Sequence, residues 1–126
     1  MLNISRIARI IFSPEAEQEY QKLVEIIKTE KQKGMGNSDN QKLLKSIDEK
    51  IERLKYLPDS GIQIPKKHFP KKYLSVYEIN NLWKFNLFNY WRLIYTLRGD
   101  TLEVICFVLD LVDHPQYNKI FGYRRL

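Results

Sequence analysis

Residues 101–112, TLEVICFVLDLV, constrain this chain more than any other stretch. The run is apolar at odd and even positions alike. It therefore reads as a strand covered on both faces, set inside a sheet with layers above and below it. The two stretches before it alternate with period two. NNLWKFNL sets Leu82, Lys84 and Asn86 against Trp83, Phe85 and Leu87, and YWRLIYTL sets Trp91, Leu93, Tyr95 and Leu97 against Arg92, Ile94 and Thr96. The aromatic and aliphatic sets must share one buried face, and that requirement selects the register. A two-residue turn would put Phe85 opposite Arg92, whereas a three-residue loop puts Asn86 opposite Arg92 and Phe85 beside Leu93. The second register sets Lys84, Asn86 and Arg92 on one open face. A turn at residues 98–100 then leads into the apolar strand.

Upstream the period is helical. Residues 6–12, RIARIIF, read as a first strand, and SPEAEQEY follows at once. Ser13 is a suitable N-cap, Pro14 fits the first helical position, and Glu15, Glu17 and Glu19 favour the positive end of a helix dipole. Ala16, Tyr20, Leu23, Val24 and Ile27 give that helix one apolar face, and Gly34 and Gly36 end it. A second amphipathic helix starts near Ser38 or Asp39, carries Leu43, Leu44, Ile47, Ile51 and Leu54 on one stripe, and stops before Pro58. With 126 residues, the chain has the length of one domain. The expected fold is α+β over residues 1–126: an N-terminal strand, an antiparallel two-helix hairpin, then a three-stranded antiparallel meander in one sheet. Residues 58–80 hold three of the five prolines and read as an irregular basic surface segment.

Charge points to a partner. Residues 1–60 carry 11 Lys and Arg against 10 Asp and Glu, net +1, while residues 61–126 carry 10 against 5, net +5. That asymmetry favours a polyanion. Lys66, Lys67, Lys71 and Lys72, interleaved with Phe69 and Tyr73, suit single-stranded nucleic acid through phosphate attraction and base stacking; the plainer reading is a solvated loop. The lone Cys106 sits in the apolar strand and reads as a small buried hydrophobe. No stretch approaches the roughly 20 apolar residues of a membrane span, and no small-residue cleavage site follows the N-terminal apolar segment. A cytoplasmic protein is expected, with no membrane partner. Neither a metal-ligand cluster nor a cofactor motif is visible in the residues.

The apolar strand empties into DHPQYNKIF, residues 113–121, where one of the two histidines lies. Pro115 suits the start of a helical turn, and the i,i+3 spacing would then bring His114 and Tyr117 together. The order of elements, the WRLIY strand carrying Arg92, the WKF strand carrying Lys84, and the terminal His-x-x-Tyr-x-Lys of His114, Tyr117 and Lys119 together resemble the RelE/ParE toxin superfamily. The likeness is to its RelE and HigB-type mRNA interferases, and it covers nearly the whole chain. The chain departs from many RelE members in carrying Asn86 at a second basic position.

The resemblance implies the toxin component of a type II toxin–antitoxin system. Its partners would be an antitoxin protein, mRNA and the ribosome. Cleaving RNA without a metal lets the 2′-hydroxyl attack the adjacent phosphorus, so the site must move protons and stabilise charge on phosphate oxygens. Arg92 offers a bidentate fork and Lys84 a point charge. His114 is the candidate acid or base, and Tyr117 could stack on a base or share in proton transfer. Asn86 and Lys119 join Lys66, Lys67, Lys71 and Lys72 as candidate RNA-binding residues. Each has a structural alternative: His114 as a turn cap, Tyr117 as a core anchor, Arg92 paired with Asp110 or Asp113. A ParE-like gyrase poison and a non-catalytic RNA-binding relative are the alternative functions.

Overall fold

The computed structural model describes residues 7–99 and 103–122. Five strands form one mixed sheet: β1 (Arg9–Phe12), β2 (Ile62–Gln63), β3 (Trp83–Asn86), β4 (Arg92–Gly99) and β5 (Val104–Val112), in the order β1-β5-β4-β3-β2. β1 runs parallel to β5, and the other neighbours are antiparallel. The chain is therefore α+β, with β5 inside the sheet as its two-sided apolar pattern requires. The β3–β4 register is the one that keeps charge out of the aromatic face, with Asn86 opposite Arg92 and Phe85 opposite Leu93. The turn expected at residues 98–100 is described only as far as Gly99.

Helices α1 (Pro14–Gln32) and α2 (Asp39–Tyr56) cover one face of the sheet. The Ser13 side chain accepts from the Ala16 amide and the Ser38 side chain from the Gln41 amide, so both helices start on a serine cap. Leu23, Ile27, Leu43, Ile47 and Leu54 are buried against Phe85, Leu93, Tyr95, Cys106, Val108 and Leu111 of the strands. Burial pushes the Cys106 thiol up to about 12, so it behaves as the apolar filler its position suggests.

The opposite face is closed by two further helices, and here the expected architecture needs correction. Residues 58–80 are not irregular throughout: they hold β2, a 3₁₀ turn at Lys66–His68, and α3 (Lys71–Tyr77). The chain ends its described part in α4 (His114–Phe121). Among the described residues, four α-helices and five strands thus replace the two and four expected. Tyr73 of α3 and Tyr117 of α4 pack with Ile64, Ile79, Leu82, Ile94, Leu109 and Val112 in a second, smaller core. The face expected to lie open is therefore largely covered.

A β-bulge prepares this second core. Ile94 pairs with Asp110 and Tyr95 with Val108, leaving Leu109 without a Cα partner on β4. The extra residue reverses the alternation downstream, so Leu111 packs under the α1–α2 hairpin and Val112 beneath α3 and α4. The buried Ser13 hydroxyl donates to the Leu109 carbonyl at 2.6 Å. The Asp110 carboxylate, 5% exposed, accepts from the Tyr73 hydroxyl and the Lys72 ammonium, both at 2.8 Å. No described helix is long and apolar enough to cross a membrane.

Candidate phosphate-binding site

Three elements meet where the second core thins toward the β3–β4 turn. β4 begins with Arg92, whose neighbours across the sheet are Asn86 on β3 and Val112 on β5. Lys84, two residues before Asn86, projects from the same face. Beyond Val112 the chain turns at Asp113, which caps α4 by accepting from the Gln116 amide at 3.0 Å. Capping thus falls to the aspartate and not to His114. One helical turn later Tyr117 folds back onto the sheet, and its hydroxyl accepts from Lys84 Nζ at 2.9 Å. Lys84 Nζ lies 5.0 Å and Arg92 Cζ 5.1 Å from the centre of the Tyr117 ring, within cation–π range.

Three of the four residues expected to do chemistry, Lys84, Arg92 and Tyr117, are thereby brought into contact, though not in equal roles. Tyr117 is only 3% exposed and packs on Phe121 with ring centres 4.5 Å apart. No face of the ring is left for an RNA base, so its contribution is to seat Lys84 and Arg92. His114 stands half-buried, with its Nε2 atom 3.3 Å from Asn118 Nδ2. Arg92 Nη1 donates to the carbonyls of Tyr90 at 2.7 Å and Trp91 at 3.3 Å.

Neither Arg92 nor Lys84 has a carboxylate partner among the described residues. The two acids suited by sequence to pair with Arg92 are engaged elsewhere, Asp110 with Lys72 and Tyr73, Asp113 with the helix end. The cationic charge at this spot is left uncompensated. Two buried nitrogens, Arg92 Nε and His114 Nδ1, also find no hydrogen-bond partner among the described residues. Each such group costs about 1–3 kcal/mol when left unpaired, a cost that folded proteins rarely carry without a function for it.

Sequence reading passed over one residue here. Phe88–Tyr90 forms the β3–β4 turn, and both Asn89 (φ 58°) and Tyr90 (φ 62°) are left-handed. Asparagine tolerates that conformation. Tyrosine does so at a cost of about 1–3 kcal/mol. Tyr90 is 72% exposed, and its ring centre lies 6.1 Å from that of His114. The available signal was a tyrosine at a hairpin position where glycine is the usual residue.

The remaining candidate RNA-binding residues are dispersed. Asn86 is exposed beside Arg92. Lys66 and Lys67 are exposed on the 3₁₀ turn, and Lys71 on the first turn of α3. Lys72 is tied to Asp110, and Lys119 lines a groove with Lys72, Glu15, Glu19 and Asp110. Acidic neighbours make that groove a poor phosphate track. No group of three or more His, Cys, Asp or Glu side chains able to hold a metal ion occurs among the described residues. Comparison with protein-family models, curated proteins and solved structures finds no match for the chain.

Proposed function

We propose that this chain is the toxin of a type II toxin–antitoxin pair, an endoribonuclease that cuts mRNA without a metal ion, built on a RelE-type scaffold enlarged by β2 and α3. One observation carries the reading. Lys84 of β3 and Arg92 of β4 meet on the Tyr117 ring of α4, the helix that also carries His114, with no acid among the described residues to neutralise the two cations. Such a place suits a phosphodiester far better than a neutral or cationic ligand.

In this reading Arg92 and Lys84 bind the non-bridging oxygens of the scissile phosphate and stabilise the charge that accumulates there. The imidazole of His114, oriented by Asn118, accepts the proton of the 2′-hydroxyl as its oxygen bonds to phosphorus. The bond from phosphorus to the 5′-oxygen breaks, and that oxygen takes a proton from solvent water and leaves as a hydroxyl, with a 2′,3′-cyclic phosphate behind it, while His114 returns its proton to solvent. Tyr117 acts as a positioning residue through its hydrogen bond to Lys84 and its ring beneath Arg92. An antitoxin covering the site would keep the protein silent in the cytoplasm, and the ribosome is where it would meet its message.

Expression of the chain without an antitoxin is expected to arrest translation and leave cut mRNA. Arg92→Ala and His114→Ala should each reduce cleavage by about 10²–10⁴-fold while circular dichroism and the melting curve are retained. A DNA-damage response without RNA cuts, indifferent to His114→Ala, would replace this reading with a gyrase poison. RNA binding with no cleavage would leave only a binding module.

A further inference from the structure

Resting on that reading, we infer that Tyr90 is the base-stacking residue of the site, so that its substrate must present an unpaired nucleotide beside the scissile phosphate. The turn that carries Tyr90 is fastened at both sides. The Phe88 amide donates to the Ser46 hydroxyl of α2 at 3.2 Å, and the Tyr90 carbonyl accepts from Arg92 at 2.7 Å. A left-handed backbone at Tyr90 thus holds an exposed phenol ring at a fixed offset from the guanidinium that grips phosphate. A hydrophobic ring exposed on a rigid, unfavourable turn gains nothing from core packing. A nucleobase is the flat partner that phosphate-binding neighbours would deliver to it.

The adjoining surface agrees in its chemistry. Phe88, 37% exposed, has Lys42 Nζ 5.8 Å from its ring centre. A second aromatic and a second cation therefore continue the alternation of ring and charge along the turn, away from Lys84. In a duplex the base faces are stacked on one another and closed to a side chain, which restricts Tyr90 to single-stranded RNA. The buried ring of Tyr117 cannot take this role.

The test measures binding of a short single-stranded 2′-O-methyl oligonucleotide, which cannot be cut, and of an abasic strand with the same backbone. Tyr90→Ala should weaken binding to the base-bearing strand by roughly 5- to 100-fold and leave binding to the abasic strand unchanged, with Tyr90→Phe restoring the affinity. Tyr90→Asn, which accepts the left-handed backbone, should show the same loss as Tyr90→Ala and so separate the ring from the turn. Wild-type affinity in Tyr90→Ala, with Arg92→Ala still defective, overturns the inference and spares the proposed function. Tighter binding or faster cleavage in Tyr90→Ala also overturns it, because the ring would then be shielding His114. A wild-type protein that binds neither strand removes both.

Discussion

Gly61 shows how closely single atoms are set beneath the site. Its amide donates to the Tyr95 hydroxyl at 3.0 Å, and that hydroxyl donates to the Pro58 carbonyl at 2.9 Å. A Cβ added at Gly61 would stand 2.5 Å from Tyr95 Oη and 2.9 Å from the Lys84 carbonyl. Gly61→Ala should therefore destabilise the protein by about 1–3 kcal/mol, read as a lowered urea midpoint at unchanged slope. Adding Tyr95→Phe removes the nearest clashing atom, so the double variant should lose less than the two single losses combined. The clash lies against the backbone of Lys84, so RNA affinity should fall with stability in the same variant.

Between elements, the joint of α1 and α2 depends on one carboxylate. Glu30 accepts from the Ser38 hydroxyl at 2.6 Å, Asn40 at 3.0 Å and Gln41 at 3.3 Å, and these hydrogen bonds, led by that of Ser38, hold it below the usual carboxylate range. A lowered folded-state value means that stability is fully present above the unfolded value of 4.5 and is lost as pH falls through the folded one. Amide exchange at the start of α2 should accelerate below that pH in the wild type, and Glu30→Gln should flatten the dependence. The caps at Ser13 and Ser38, the inter-helix glycines and the β3–β4 register were all legible in the sequence, because each follows from local spacing or from keeping Arg92 off the aromatic face. α3 was not, since only Tyr73 is buried in seven residues and so short a helix leaves no periodic stripe. That Lys84 and Arg92 share one face of the sheet was readable from the period-two alternation of β3 and β4. The inward turn of Tyr117 was one of two readings open in the sequence, a core anchor or a ring for a base, and the bulge at Leu109 with the second core it permits favours the anchor.

Across the whole molecule, the positive charge of the second half divides between bound and unbound groups. Lys72 is committed to Asp110, whereas the half-buried Lys84 and Arg92 have no acid partner among the described residues. Of these three, only Lys84 and Arg92 should count as phosphate ligands in a salt titration under the proposed function. Arg92→Ala or Lys84→Ala should lower the slope of log affinity against log salt by about 0.7 each on single-stranded RNA, and Lys72→Ala should barely move it; fluorescence anisotropy at several KCl concentrations reads this directly. The sheet order has its own outcome. Among the described residues β1 finds its one strand partner in β5, and β5 also supplies the other side of β4. A chain that stops at Gly99 lacks the strand that joins β1 to β4. Under the proposed function the site is therefore complete only once β5 and α4 have joined the sheet, because α4 brings Tyr117 to Lys84 and Arg92.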